Sequence, residues 1–244
     1  RYHPCMPVGG DFYDLFRIGP DTVGFFIADV SGHGVPSALM TVFLKQELTY
    51  SAREMTGGGA FMVHQPRETL ARLNETFFSL NLGEQISYVT LAYCAYHLSR
   101  KELTCSLAGH HALPCIKRRG GSVEMLRMEG YPVGWFDQVT DYDQVTVPLR
   151  EGDTLYLYTD GLLDLLGGWS GDGNAAESGG DEAAAGPQGE GREYLDQVMR
   201  FLGGNDVEQR FDRLYRSRTA KSPLRDDVTL LGLHIQESLA SGEG

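Results

Sequence analysis

Residues 22–34 read TVGFFIADVSGHG. The first nine form an apolar run, rich in aromatic and β-branched residues, of strand length and with an acid at its far end. Gly32-His33-Gly34 then breaks the extended pattern and leads into a helix expected to run to about residue 53, with Val35, Ala38, Leu39, Val42 and Phe43 at helical spacing. Upstream, residues 12–18 (FYDLFRI) form a second strand, and the turn cluster Gly19-Pro20-Asp21 makes the two a hairpin.

A second helix is expected from Pro66, beyond the break Gly57-Gly58-Gly59, with Leu70, Leu73, Phe77 and Leu80 on one stripe. The period then changes to strands over 86–97, 102–108, 113–118, 122–127, 141–148 and 153–159, with turns at Ser99-Arg100-Lys101 and Gly120-Gly121. A short helix follows Gly161. Two more carry Leu195, Val198, Met199 and Leu202, then Val207, Phe211, Leu214 and Tyr215, and a last strand spans Val228 to Ile235. Antiparallel strands with helices gathered in pairs towards the two ends indicate an α+β sandwich rather than a doubly wound sheet.

Residues 167–192 differ. Nine of these 26 positions are glycine, and apart from Trp169 no apolar side chain exceeds alanine. Such a stretch cannot bury enough surface to offset its ordering entropy, so it reads as a disordered insertion within one domain covering residues 1–244. Because Arg1 is not a natural start, the chain reads as a segment of a longer protein.

The 244 residues carry a formal charge of −12, the wrong sign for gripping nucleic acid or an anionic membrane. No apolar run approaches bilayer-spanning length and the first stretch, RYHPCMPVGG, has no apolar h-region, so a cytoplasmic chain is expected. Cys5, Cys94, Cys105 and Cys115 contain no CxxC pair. Cys94 and Arg100 do satisfy C-x5-R, the minimal signature of cysteine-dependent phosphatases. That chemistry needs a phosphate-wrapping loop, however, and the glycine-free flank ISYVTLAYCAYHL places Cys94 inside a strand. Asn74-Glu75-Thr76 matches a glycosylation sequon on an expected helix of a non-secreted chain and carries no meaning as one.

Chemistry concentrates in four aspartate motifs at strand ends: Gly9-Gly10-Asp11-Phe12-Tyr13-Asp14, Asp29-Val30-Ser31-Gly32-His33-Gly34, Thr159-Asp160-Gly161-Leu162-Leu163-Asp164 and Asp226-Asp227-Val228-Thr229. Any one could be a turn residue. Together, poorly solvated and mutually repelling carboxylates need a counter-charge, and an all-oxygen set favours Mg²⁺ or Mn²⁺ over zinc or copper. Two such ions could clamp a phosphoryl group and activate water.

The ordered motifs GGDFYD, ADVSGHGVPSAL, SLAGHHALP, LYTDGLLD and RDDVTLL resemble the metal-dependent type 2C (PPM) serine/threonine phosphatases, and more narrowly their bacterial SpoIIE/RsbU-like branch. The resemblance implies a four-layer α-β-β-α sandwich, two Mn²⁺ or Mg²⁺ ions between the sheets, and hydrolysis of phosphoserine or phosphothreonine on a protein by a metal-bound hydroxide. It implies that Asp11 and Asp29 hold the metal pair, with Asp29 bridging and the Val30 carbonyl beside it, and that Asp160 and Asp226 complete the second position. Asp14, Asp164 and Asp227 become auxiliary groups. His33 and His110 match family positions, with loop ordering the expected role. The family further implies a phosphorylated STAS-type anti-sigma-factor antagonist as substrate, an upstream sensor or receiver domain, and a possible homodimer.

Two features depart from the family. Eukaryotic members carry a phosphate-gripping arginine before the first aspartate, and CMPVGGD has none; the insertion after Asp164 replaces a stretch that is usually short. Two other readings compete. A GGDEF-type nucleotide cyclase needs an acid where Phe12 stands, and a catalytically silent phosphoprotein-binding module would be marked by a missing aspartate, which is not found.

Overall fold

In the computed structural model the described residues are 1–5, 9–31, 40–48, 65–79, 88–137, 141–167, 190–220, 223–224 and 226–236. They form ten strands: β1 (Tyr2–His3), β2 (Asp11–Arg17), β3 (Thr22–Val30), β4 (Val89–His97), β5 (Glu102–Ala108), β6 (Cys115–Lys117), β7 (Val123–Met125), β8 (Gln144–Pro148), β9 (Thr154–Tyr158) and β10 (Val228–His234). The helices are α1 over residues 40–48, α2 (Pro66–Ser79), α3 (Gly161–Leu166), α4 (Glu190–Gly203) and α5 (Val207–Thr219).

The strands pair antiparallel into two five-stranded sheets, in the orders β2-β3-β4-β5-β8 and β1-β10-β9-β6-β7. Alternation along each strand sorts side chains into separate apolar layers. In β3, Phe25 and Ile27 enter the core between the sheets with Cys94, Leu107, Leu155 and Leu157. Phe26, Ala28 and Val30 turn the other way and meet Met40, Leu44, Leu48, Leu70, Leu73 and Phe77 of α1 and α2. On the far side, Tyr158, Val228 and Leu230 pack against Leu162, Val198, Leu202 and Phe211 of α3, α4 and α5. Three apolar layers separate four structural ones, which is the expected α-β-β-α sandwich.

Several boundaries differ from the sequence reading. The two-residue β1, which pairs with Val228 and Thr229, is too short to leave a periodic signal. In α1 the buried stripe is Met40, Leu44 and Leu48, while Val42 is exposed. Gly167, with φ of 82°, is the left-handed cap that closes α3, and Glu190 already belongs to α4, so both ends of the 167–192 stretch are structured. Its middle, residues 168–189, lies outside the described residues, as do His33 and the start of the first expected helix. No helix among the described residues is long and apolar enough to cross a membrane.

Candidate active site

The β2–β3 register sets Asp11 directly opposite Asp29. Both have the parity of Phe25 and Ile27, so both face the inter-sheet crevice at the end of their strands. Asp11 is buried, and its Oδ2 accepts hydroxyl hydrogen bonds from Thr159 at 2.7 Å and Thr229 at 2.6 Å. Those threonines belong to the opposite sheet, where Thr229 N–H donates to Thr159 Oγ1 at 3.0 Å. A single carboxylate of one sheet is thus bound to the other.

Asp160 follows β9 at the start of α3, and its side chain makes no cap hydrogen bond, which leaves the carboxylate available to the crevice. Asp226 precedes β10 beside it. Asp227 points elsewhere: its oxygens accept the backbone N–H groups of Cys5 at 2.8 Å and Asp11 at 3.2 Å, so it anchors the N-terminal segment and the turn into β2. The glycines of the motifs have a steric cause. A Cβ at Gly9 would come within 2.0 Å of Asp227 Oδ2, one at Gly10 within 2.7 Å of the Val30 carbonyl oxygen, and one at Gly161 within 2.0 Å of the Asp227 carbonyl oxygen.

Loss of hydration pushes the Asp11 carboxyl up to about 7, against the opposing effect of its two hydroxyl partners. Asp29 is raised well above the ordinary range by desolvation, and then by Asp160, Asp11, Asp226 and Asp227. Asp226 is raised to about 6, first by the water its surroundings displace and next by Asp160. Among the described residues none of the ion pairs involves Asp11, Asp29, Asp160 or Asp226. Four mutually repelling carboxylates with a backbone carbonyl nearby fit a hard divalent cation, whose charge would offset that repulsion.

The remaining expected residues separate clearly. Asp14 has the opposite parity to Asp11, faces the α1 side and pairs with Lys45 at 3.4 Å, so it does not join the crevice. Asp164, one turn after Asp160, adds to the field on Asp226. His110 is buried between the sheets. Its Nε2 donates to the Tyr158 carbonyl at 2.9 Å, which leaves Nδ1 to accept from Thr90 Oγ1 at 3.3 Å, and burial holds its pKa down. With both nitrogens used in a neutral ring, it orders the crevice and is no ligand.

Sequence reasoning missed Cys5. Its sulfur lies with one oxygen each of Asp226 and Asp227 in a group whose members are all within 4.8 Å of one another. Desolvation and the neighbouring carboxylates push that thiol up to about 11, so it stays protonated at the rim. No period or motif marks this position, because contact with residues more than 220 positions away depends on β1 closing the sheet. Cys94, by contrast, sits where the sequence placed it: buried in β4, opposite Cys105, its thiol held far above the usual range by burial. Such a group is no nucleophile.

A family model described as Stage II sporulation protein E (SpoIIE) matches residues 19–236, taking in Asp29, Asp160 and Asp226. The chain belongs to the SpoIIE family. It is 28% identical over 166 residues to the phosphoserine phosphatase RsbP of Bacillus subtilis, a match covering 67% of this chain and 38% of that protein. The phosphoserine phosphatase RsbU of the same organism is 26% identical over 161 residues, covering 66% and 44%. This SpoIIE-family chain therefore spans less than half the length of those curated relatives. Among solved structures, the SiaA-PP2C domain of Pseudomonas aeruginosa superposes with a TM-score of 0.67 at 25% identity, over 96% of this chain and 84% of that one. The two-sheet sandwich with flanking helices is the PP2C fold.

Proposed function

We propose that this domain is a divalent-metal-dependent serine/threonine protein phosphatase. The observation that carries the reading is the crevice itself: Asp11 and Asp29 from one sheet face Asp160 and Asp226 from the other, with no basic partner among the described residues. Asp11, Asp29, Asp160, Asp226 and the Val30 carbonyl would hold two Mn²⁺ or Mg²⁺ ions, in keeping with the metal dependence of PP2C phosphatases. Bound there, the ions would neutralise phosphoryl charge and lower the pKa of water.

The chain's own groups perform the supporting work. Thr159 and Thr229 fix the orientation of the Asp11 carboxylate, Asp227 fixes the backbone that carries it, and His110 ties β4 to β9 beneath the crevice. The cysteine route to a phosphorylated enzyme fails at Cys94, whose thiol burial holds far above its usual range. All four carboxylates are present, so a silent binding module has nothing to recommend it. Family membership supports a phosphorylated STAS-type protein as substrate, an upstream sensor or receiver domain, a cytoplasmic setting and a possible homodimer, around one catalytic domain that tolerates the low-complexity stretch after Gly167.

The decisive measurement is a Mn²⁺ titration of hydrolysis of p-nitrophenyl phosphate and a phosphoserine peptide. Wild type should require the metal, Asp29→Ala should lose activity, and Cys94→Ser should keep its activity per folded molecule. Metal-independent turnover, full activity in Asp29→Ala, or an inactive but folded Cys94→Ser would overturn the reading.

A further inference from the structure

The turn over residues 130–136 holds its aromatic side chains in solvent: Tyr131 is 53% exposed, Trp135 42% and Phe136 49%. They form one surface. Tyr131 and Phe136 meet edge to face at 5.1 Å between ring centroids, and Trp135 lies 6.5 Å from Phe136 and 5.0 Å from Tyr88. Large apolar rings contiguous at a surface are a feature to be explained, because a folded chain usually buries them.

The presentation is built in. Asn74 of α2 is fully buried, a costly position for an amide without partners. Its Oδ1 accepts the Gly134 N–H at 2.8 Å and its Nδ2 donates to the Phe136 carbonyl at 3.0 Å, clamping the backbone on both sides of Trp135. Gly134 has φ of 88°, and a Cβ there would come within 2.4 Å of the Phe77 ring. Paired backbone hydrogen bonds between Val133 and Val89 fasten the turn to the end of β4. The sequon-like Asn74 therefore has a structural use, and a clamped turn aims three rings outward.

The same turn adjoins the crevice. Tyr88 is bound to Ser31, two residues beyond Asp29, by hydrogen bonds in both directions at 3.0 Å and 3.1 Å. Its phenol is near enough to Asp29 and Asp160 for their charges to act on it. The aromatic surface is thus continuous with the carboxylates through one shared residue, Tyr88.

From this continuity we infer that Tyr88, Trp135, Phe136 and Tyr131 form the docking wall for apolar residues flanking the phosphoserine of a protein substrate. The inference deepens the phosphatase reading and rests on it. Pre-ordered aromatic rings bind at low entropic cost, and a small set of them carries most of the affinity in typical interfaces. The wall also answers the missing upstream arginine in part: recognition is shared between the phosphate and the peptide around it.

The test compares wild type with Trp135→Ala and Phe136→Ala on three substrates: p-nitrophenyl phosphate, a phosphoserine peptide with leucine and valine flanks, and the same peptide with glycine and serine flanks. Loss of one anchor should lower kcat/KM for the apolar-flanked peptide roughly tenfold, mainly through KM. The other two substrates should change little. Unchanged peptide kinetics alongside intact p-nitrophenyl phosphate hydrolysis would overturn the wall alone, as would an equal loss on all three substrates. A variant that shifts the chain from dimer to monomer by light scattering, with peptide kinetics intact, would assign the surface to self-association instead. Failure of wild type to hydrolyse any of the three with Mn²⁺ would overturn the phosphatase reading and the wall with it.

Discussion

Replacing Asp11 by asparagine should change how the metal-free protein responds to pH, in a direction opposite to ordinary acid denaturation. Most carboxylates gain partners on folding, their pKa falls, and stability is lost in acid. Asp11 does the reverse, rising from 3.8 in an ordinary setting to about 7 in the fold. The folded state therefore holds a proton that the unfolded chain has released, and stability from this group is present in acid and lost as pH rises through about 7. For one group with these two values, linkage gives about 2 kcal/mol of stability gained on going from about pH 7.5 to about pH 5.5. Asp29 shifts in the same direction and loses part of its repulsion when Asp11 is neutral, so it adds with the same sign.

Other groups titrate in this window. Burial lowers the pKa of His110 and of His3, and each works the other way, destabilising the fold as pH falls. They are common to wild type and variant and cancel in the difference. Urea unfolding in EDTA, at three pH values across the window, should show wild type gaining about 2 kcal/mol relative to Asp11→Asn at the acid end. Saturating Mn²⁺ should reverse the slope in wild type, because protons then compete with the metal for the carboxylates. A wild-type-minus-variant difference that is flat with pH, or larger at the alkaline end, would refute the account of a desolvated, mutually repelling cluster.

Two further outcomes follow from the contacts around that cluster. Thr229→Val removes one of the two hydroxyls on Asp11 Oδ2 and should weaken Mn²⁺ affinity by roughly tenfold, read by calorimetry, with the fold retained. Gly161→Ala sets a methyl group within 2.0 Å of a backbone oxygen and should destabilise the metal-free protein by about 1–3 kcal/mol in urea unfolding, because a carbonyl cannot swing aside as a side chain can.

The architecture was legible in the sequence because it rests on local periods. β5 was expected at its observed limits, Glu102–Ala108, and the hairpin of β2 and β3 to within a residue at each end. The four aspartates were legible for a related reason: each stands where an apolar strand begins or stops, and among the described residues a steric need for glycine marks two of the motifs, at Gly9 and Gly10 and at Gly161. What remained hidden was non-local. β1 has two residues, Cys5 meets Asp227 across the length of the chain, and Asn74 clamps a turn some 60 residues away. The spacing of such contacts is set by how sheets stack, and no window of sequence contains both partners.

The division of labour among the aspartates is in the end a question of strand parity. Asp11 and Asp14 are three residues apart on β2, so they must face opposite sides of the sheet. Asp11 shares its side with Asp29 and the inter-sheet core, while Asp14 shares its side with Phe12 and Phe16 against the helical layer. A motif read as a string gives both acids equal standing; the pleat does not. Just before β10 the adjacent Asp226 and Asp227 divide in a comparable way through their hydrogen bonds: Asp227 accepts the Cys5 and Asp11 amides, while Asp226 lies within the field of Asp160. Paired acids in this chain thus contribute one group to the crevice and one to the frame that holds it, and a shift of register by one residue in β2 would exchange the two roles and empty the site of Asp11.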